Sequence, residues 1–214
     1  MDFSLYNIKT DDLPTKQKII ACALKMFCTK GYAETTIRDI ATAVGITPGT
    51  IYSHYPSKDD ILLYMLNDYG EYTKDLFKTL DIVPILKEKP TGEGIAICVL
   101  KSISILTDNV YYGNLVHLIH QEQHRNVLFG NFVLLRLQNT QEFIEKIFNV
   151  LKEMNVIKAD AGSENWGFIT YGVLHLVPTC IAISSITQTP SYAIKDIMPM
   201  LSEMFDAVIE ANKP

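Results

Sequence analysis

The chain has 214 residues, which is enough for one large domain or two small ones with a real hydrophobic core. Its formal net charge is −5, a balance that taken alone argues against nucleic-acid binding. The first residues lack a basic segment followed by an apolar one, and no run reaches about 18 apolar residues without interruption. We therefore expect a cytoplasmic protein without a secretory signal or a membrane span.

The charge is distributed unevenly along the chain. Residues 15–58, which we call the head, carry six basic side chains against two acidic ones, a balance of +4. Residues 59–214 carry twelve basic side chains against nineteen acidic ones, a balance of −7. A small basic head on an acidic body is the polarity of a protein that binds DNA through one end.

The four cysteines, Cys22, Cys28, Cys98 and Cys180, lie far apart inside apolar helical patterns. They form no C-x-x-C pair, so the sequence indicates neither a zinc knuckle nor a disulfide framework. We interpret them as core residues of a protein in a reducing compartment.

After a short acidic arm over residues 1–12, the sequence predicts two helices that end at glycines. The first ends at Gly31, and the second begins after Thr36, which forms a capping-box pattern with Asp39. Gly45 then supplies a residue that can take a positive φ where the chain reverses. The apolar face of the first helix consists of Ile19, Ile20, Ala23, Leu24 and Phe27, and that of the second of Ile37, Ile40, Ala41 and Val44.

A third helix follows at once, with Thr47 placed to cap it and Pro48 at its first position. Residues 36–55 therefore predict a helix-turn-helix motif, whose second helix can enter the major groove of DNA. Ile51 and Tyr55 are spaced to anchor this helix. Its remaining surface offers hydrogen-bonding groups from Thr47, Thr50, Tyr52, Ser53 and His54.

Residues 23–62 read ALKMFCTKGYAETTIRDIATAVGITPGTIYSHYPSKDDIL. This string strongly resembles the N-terminal domain of the TetR family of bacterial transcriptional regulators, and the resemblance covers roughly residues 13–73. It includes the Gly-Tyr after the first helix, the Thr-Ile that opens the second, and GTIYSHYPSKDD. The resemblance implies an all-α protein with a three-helix DNA-binding domain over residues 13–73 and a larger ligand-binding and dimerisation domain over residues 74–214.

The same resemblance implies DNA-contacting residues in the head. Thr36, Tyr52, His54 and Lys58 correspond to positions that commonly touch phosphates, and Thr47, Pro48, Gly49, Thr50 and Ser53 to the groove-facing part of the third helix. Pro48 stands where the family frequently has a basic residue, so we expect shape or methyl contact at that base position. The expected partner is a double-stranded palindromic operator, which a homodimer reaches with heads about 34–36 Å apart.

Beyond residue 56 the sequence predicts helices almost throughout, giving about nine in the whole chain. The predicted helices cover residues 57–80, 94–106, 108–121, 126–154, 161–186 and 192–211, with a loop around Pro84 and Pro90 and a kink near Pro178.

The last two predicted helices carry apolar stripes wide enough to serve the core and a partner. One side of the first is lined by Trp166, Val173, Leu174 and Val177, with Gly167 and Gly172 permitting close backbone approach. The stripe of the final helix consists of Ile194, Ile197, Leu201, Met204, Phe205 and Val208. The resemblance implies a four-helix dimer interface formed by these two helices.

The resemblance also implies an effector pocket in the body, occupied by a small organic ligand that relieves repression. The predicted lining residues combine aromatic rings with a few polar groups, which suits an aromatic or acyl-bearing molecule. They are Tyr69, Tyr72, Cys98, Tyr111, Tyr112, His117, His120, Phe132, Tyr171 and His175.

Two alternatives to this function stay open at the level of sequence. His117, His120 and His124 share one helical face, so a metal-sensing regulator is conceivable, with His175 or Cys180 as distal ligands. The second alternative is a ligand-binding protein whose head has lost its affinity for DNA.

An enzyme is not expected, because the chain lacks a glycine-rich phosphate loop, a G-x-S-x-G elbow and an H-E-x-x-H pair. We expect no cofactor and no resident metal.

Overall fold

The computed structural model describes residues 13–173 and 194–214, and within those ranges it is all-α. Ten helices follow one another there, which confirms the predicted fold class. They are α1 (Thr15–Lys30), α2 (Ile37–Val44), α3 (Pro48–His54), α4 (Lys58–Thr79), α5 (Val83–Glu88), α6 (Gly92–Asp108), α7 (Val110–Glu122), α8 (Val127–Glu153), α9 (residues 164–173, where the first described range ends) and α10 (Ile194–Ala211).

One helix, α5, lies in a segment that the sequence predicts to be a loop. That prediction treats Pro84 as a helix breaker, but Pro84 lies in the first turn of α5, where a missing backbone N–H costs little. Leu86 is fully buried and holds this short helix against the core. The predicted kink near Pro178 and the acidic arm over residues 1–12 lie outside the described residues.

The chain divides into two compact units. The first comprises residues 1–72 and 107–133, and the second comprises residues 73–106 and 134–214. The head therefore shares its unit with α7 and the start of α8. The predicted division of function at residue 73 stays a prediction.

The second unit is organised around an extensive apolar cluster in which α10 is a central element. Ile197, Leu201, Phe205 and Val208 are all buried in it, and the rings of Trp166 and Phe205 lie 6.3 Å apart. Most of the stripe that the sequence assigns to both core and partner is thus occupied by the chain's own core. Gly167 also serves this packing, because a Cβ there would lie 2.5 Å from Cα of Gln141 on α8.

No single helix within residues 13–173 and 194–214 has both the length and the apolar composition to cross a membrane. The segments Gly92–Ile105 and Val110–Glu122 reach that length and composition only when they are counted together, across a break.

Lys146 of α8 holds the end of α4 within the second unit. Its ammonium group donates to the carbonyl groups of Phe77, Lys78 and Leu80 at distances of 3.2, 3.0 and 2.8 Å. The last carbonyl groups of a helix have no partner inside the helix, so a cation at this end satisfies them and interacts favourably with the helix dipole.

Replacing Lys146 by Met should therefore destabilise the protein while keeping the aliphatic stem in place. We expect a loss of about 1–2 kcal/mol in the free energy of unfolding, because charge-assisted hydrogen bonds to three carbonyl groups disappear. Urea denaturation measures this loss. The matched control is Lys74→Met, since Lys74 is an exposed lysine of α4; equal effects of the two substitutions would contradict the assigned role.

Candidate nucleic-acid interface

Helix α2 begins with the capping box that the sequence predicts. The Thr36 hydroxyl accepts from the Asp39 backbone N–H at 3.1 Å, and the Asp39 carboxylate accepts from the Thr36 N–H at 2.9 Å. The same carboxylate accepts from Lys30 at 2.7 Å. The Lys30 hydrogen bond, followed by those from Thr36, lowers the pKa of Asp39 to about 2. The cap is therefore ionised at any physiological pH.

The turn between α2 and α3 depends on Gly45. This residue adopts φ 79° and ψ 33°, the left-handed conformation that costs a glycine no steric strain. Its N–H donates to the carbonyl of Ala41 at 3.0 Å, and the N–H of Ile46 donates to the same carbonyl at 3.0 Å. The end of α2 is thus closed by backbone groups, and the chain turns directly into α3.

Helix α3 has the predicted start. The Thr47 hydroxyl accepts from the Thr50 N–H at 3.3 Å, and Pro48 lies in the first turn. The hydroxyl groups of Thr47 and Thr50 also lie 3.0 Å apart, and the Ser53 hydroxyl donates to the Thr50 carbonyl at 2.7 Å. The Ser53 hydroxyl donates in this bond, so its oxygen can still accept, since a hydroxyl oxygen accepts up to two hydrogen bonds. This surface can therefore accept from base amino groups.

The two faces of α3 differ sharply in exposure. Ile51 is fully buried and Tyr55, the residue that ends the helix, is 4% exposed. Tyr52 is 53% exposed, and Ser53 and His54 are exposed beside it. The helix is therefore held by one apolar face and presents its polar face to solvent, as a groove-reading helix requires.

Lys58 occupies a position that the sequence does not reveal. Its ammonium group donates to the carbonyl groups of Tyr32, Ala33 and Thr35 at 2.7, 3.3 and 2.9 Å. It also lies 4.4 Å from the centre of the Tyr32 ring. Lys58 thus fastens the loop between α1 and α2 to the start of α4. Its predicted contact with phosphate stays a prediction.

The sequence interpretation omits one exposed cation of the helix-turn-helix, Arg38. The sequence could have indicated this residue, because Arg38 lies inside the predicted second helix but outside its apolar face. A guanidinium group can bind phosphate or guanine with two parallel hydrogen bonds, so Arg38 joins the candidate interface.

Seven of the predicted effector residues lie in the first unit, and the structure brings the aromatic ones among them together. The Tyr72 and Tyr112 rings stack at 4.2 Å, and the Tyr69 ring lies 5.4 Å from that of Tyr112 and 5.8 Å from that of Phe132. The Tyr111 ring lies 5.2 Å from that of Tyr112. We call these five residues, Tyr69, Tyr72, Tyr111, Tyr112 and Phe132, the aromatic cluster.

Two polar features accompany the aromatic cluster. The Tyr112 hydroxyl donates to the Asp68 carboxylate at 3.2 Å. The Tyr111 hydroxyl is buried and has no hydrogen-bond partner among the described residues. Burial, and then the Asp68 charge, raise the pKa of both tyrosines, so both hydroxyl groups stay protonated at neutral pH. Leaving a buried hydroxyl unpaired costs about 1–3 kcal/mol, so Tyr111 is ready for a further polar group.

The remaining predicted effector residues have other surroundings. His117 of α7 is half-buried, and burial lowers its pKa, which favours the neutral imidazole. His120 lies one turn further along the same helix. Cys98 is fully buried in the core of the second unit, and the Tyr171 ring lies 5.5 Å from the Arg136 guanidinium in that unit. His175 lies outside the described residues. The ligand-binding role of this set stays a prediction.

Within the described ranges no group of three or more histidine, cysteine, aspartate or glutamate side chains could hold a metal ion. His124 follows the end of α7 at Glu122 and is exposed, whereas His117 and His120 are partly buried. The two other ligands considered for a metal site, His175 and Cys180, lie in the segment that is not described.

Helices α2 and α3, joined by the turn at Gly45, form a helix-turn-helix motif. Residues 19–65 match the family model described as bacterial regulatory proteins, tetR family. YuxN of Bacillus subtilis (strain 168), named as an uncharacterized HTH-type transcriptional regulator, is 26% identical over 205 residues, which are 91% of this chain and 64% of YuxN. The N-terminal part of the chain is therefore similar to the tetR family of bacterial regulatory proteins.

Two further comparisons bear on this family. The HTH-type transcriptional repressor KstR2 of Mycolicibacterium smegmatis is 32% identical over 78 residues, 36% of this chain and 38% of KstR2. The chain thus spans less than two thirds of the length of either curated relative. The structure of the transcriptional regulator FadR from Bacillus subtilis in complex with stearoyl-CoA superposes with a TM-score of 0.63 at 18% identity, covering 90% of this chain and 98% of that one. At this identity the likeness shows a shared fold.

Proposed function

We propose that this protein is a DNA-binding transcriptional regulator, a homodimeric repressor that a small organic effector releases from a palindromic operator. The observation that carries the proposal is α3, which is anchored by Ile51 and Tyr55 and exposes Tyr52, Ser53 and His54. The family match over residues 19–65 and the name of the relative KstR2, a repressor, support it. A gel-shift with genomic fragments tests it, and sequencing the retained fragments identifies the operator.

The proposed DNA contacts fall into two groups. Thr47, Pro48, Gly49, Thr50 and Ser53 form the start and outer face of α3 and are proposed to face bases. Thr36, Tyr52, His54 and Lys58 are proposed to face phosphates, and Arg38 is added to them because it is exposed on α2. Phosphate contacts fix the position of a protein on the duplex, whereas contacts to base edges carry sequence preference.

Replacing Tyr52 by Phe should weaken binding to every operator sequence alike. The substitution removes one hydroxyl from an exposed ring, so we expect a three- to tenfold loss of affinity, about one hydrogen bond, with no change in base preference. Fluorescence anisotropy on the operator and on single-base variants measures both quantities. Tyr64→Phe is the matched control, since it deletes the same group from an exposed tyrosine of α4. Unchanged affinity of the Tyr52 variant would remove this residue from the interface.

The effector is proposed to contact the aromatic cluster with an apolar moiety and Tyr111 with a polar group. The cluster lies in the same compact unit as the head, so a ligand there acts on the unit that carries α2 and α3. FadR of Bacillus subtilis, which shares the fold, was solved with stearoyl-CoA. A long-chain acyl thioester is therefore the first candidate, since it combines an apolar chain with a carbonyl that can accept from the Tyr111 hydroxyl.

Stearoyl-CoA should raise the melting temperature and release the operator at the same concentrations. A ligand that binds only the folded state stabilises it by about 2.7 kcal/mol at one hundred times its dissociation constant. Tyr111→Phe should raise the concentration needed for release by three- to tenfold, because the hydrogen bond from the buried hydroxyl to the ligand is lost.

EDTA should change neither the melting temperature nor the release of the operator. If EDTA abolished or restored operator binding, and His117→Ala or His120→Ala removed that response, metal sensing would replace the organic effector.

The homodimer is proposed to form through the last two helices, α9 and α10. In the single chain Phe168 of α9 is 68% exposed and Met200 of α10 is 64% exposed, and Ile169 is also exposed. These residues, rather than the buried Leu201 and Phe205, are therefore the proposed partner contacts. Contiguous exposed apolar patches mark sites of protein association, and Phe168 and Ile169 are consecutive in the chain.

Phe168→Glu should convert the dimer into a folded monomer at micromolar concentration. A carboxylate placed in an apolar interface is desolvated without a partner, whereas on the free monomer it stays in water. Sedimentation velocity measures the assembly and thermal melting confirms the fold. Val127→Glu is the control, because Val127 is similarly exposed on α8 but lies outside the proposed interface. A parent chain that sediments as a monomer would refute the dimer.

A further inference from the structure

Tyr32, the residue that follows the Gly31 terminator of α1, lies where four helices of the first unit meet. Its ring is 5% exposed and packs edge-on against Phe27 of α1 at 4.9 Å and Phe129 of α8 at 5.7 Å. Edge-to-face pairs at these distances stabilise beyond the area that they bury. The loop between α1 and α2 is thus fixed by an aromatic side chain at its second residue.

Every polar group of Tyr32 is also engaged. Its hydroxyl donates to Asp59 of α4, and its carbonyl accepts from Lys58 at 2.7 Å. Its backbone N–H donates to Oε1 of Glu122, the last residue of α7, at 3.3 Å. Burial, and then the hydrogen bond to Asp59, raise the pKa of the Tyr32 hydroxyl, which therefore stays protonated.

Glu122 is an unusual residue to find in this place. It is 7% exposed, and a buried carboxylate is costly unless hydrogen bonds compensate for the lost water. Its Oε1 would lie 3.9 Å from a Cβ at Gly31, which takes φ 96°, so the carboxylate sits directly against the turn that ends α1. A hydrogen bond also joins α1 directly to α7: the Cys28 thiol donates to the Asn114 carbonyl at 3.5 Å.

The loop held by Glu122 leads straight into the DNA-binding motif. Thr36, the N-cap of α2, follows Tyr32 by four residues, and Lys58 binds the carbonyl groups of Tyr32, Ala33 and Thr35 along the way. Tyr32 and Lys58 therefore anchor the loop that leads to the first residue of α2. A displacement of α7 that breaks this hydrogen bond would remove the one contact of the Tyr32 amide with α7, while the contacts of Tyr32 with Asp59 and Lys58 remain.

We propose that Glu122 is a positioning residue for DNA binding, whose carboxylate holds the Tyr32 amide and thereby fixes the start of α2. This inference rests on the proposed function of the head as a DNA-binding domain. The role requires a hydrogen-bond acceptor at the end of α7 and does not require a negative charge. The need for an acceptor without a charge distinguishes this positioning role from a general contribution of the buried Glu122 side chain to stability.

The test compares Glu122→Gln, which keeps an acceptor oxygen, with Glu122→Met, which keeps the volume and loses both oxygens. The Met variant should bind the operator about tenfold more weakly, the effect of one lost hydrogen bond, and the Gln variant should recover most of this loss. Gln121→Met is the control, because Gln121 is the exposed neighbour on the same helix. Hydrogen exchange should show a faster Tyr32 amide in the Met variant alone.

Two outcomes would overturn the positioning role. One is a Met variant that binds the operator as tightly as the parent chain. The other is a Gln variant as weak as the Met variant, which would show that the charge or the packing matters and the acceptor does not. If the Met variant fails to fold, the parent chain decides: a Tyr32 amide that exchanges as fast as an exposed loop amide excludes the bond. A parent chain that binds no DNA refutes the proposed function itself, while intact DNA binding with an unprotected Tyr32 amide refutes only this inference.

Discussion

The structure of the head depends on supporting two helices that are too short to stand alone. Helices α2 and α3 have eight and seven residues, whereas isolated helices below about 12–15 residues are marginal in water. The free energy that stabilises these two helices must come from their caps and from the burial of their apolar side chains. The capping box of Thr36 and Asp39 and the cap of Thr47 supply the first, and the buried side chains of Ile40 and Ile51 supply the second. The exposed groups proposed to face DNA are therefore positioned largely by buried and capping residues.

This dependence explains which parts of the molecule can be predicted from the sequence. Caps, left-handed glycines and a proline in the first turn are local chemistry, so the roles of Thr36, Gly45 and Pro48 follow from their immediate neighbours in the chain. The side chains of Lys58 and Glu122 find their partners 23–26 and 90 residues away. Contacts at that separation depend on how the helices pack, and no spacing in the sequence reveals them.

The last helix illustrates a different limit. An apolar stripe on a helix indicates that this face is buried. The sequence pattern is the same whether the face packs against the chain's own core or against a second copy of the chain. Phe205 and Val208 are buried in the chain's own core, whereas Phe168 and Met200 are exposed. Similarly, Pro84 can begin a helix as well as break one, and the buried Leu86 decides between the two. In both cases the tertiary packing, and not the local sequence pattern, determines which side chains are buried in the chain.

The arrangement of the first unit also limits how an effector could act. A ligand changes an equilibrium only by the difference between its affinities for the two states. The aromatic cluster involves α4 and α7, and these same helices supply Asp59 and Glu122 to the loop after α1. A ligand that prefers a different spacing of α4 and α7 would therefore be opposed by these hydrogen bonds and by the ring contacts between the two helices. To move a two-state equilibrium from 1:99 to 99:1, a ligand must favour one state by about 5.5 kcal/mol.

Lys58 shows how a supporting residue can constrain recognition. A lysine ammonium has three donors, and the carbonyl groups of Tyr32, Ala33 and Thr35 occupy all three. The group can still attract a phosphate through its charge, but it can donate to one only by releasing a carbonyl of the loop. Its contribution to DNA affinity should accordingly be electrostatic and sensitive to salt. The directional contacts then fall to the exposed groups of α2 and α3, and the modest charge of +4 on each head makes binding through two heads of a dimer the physically favoured route to an operator.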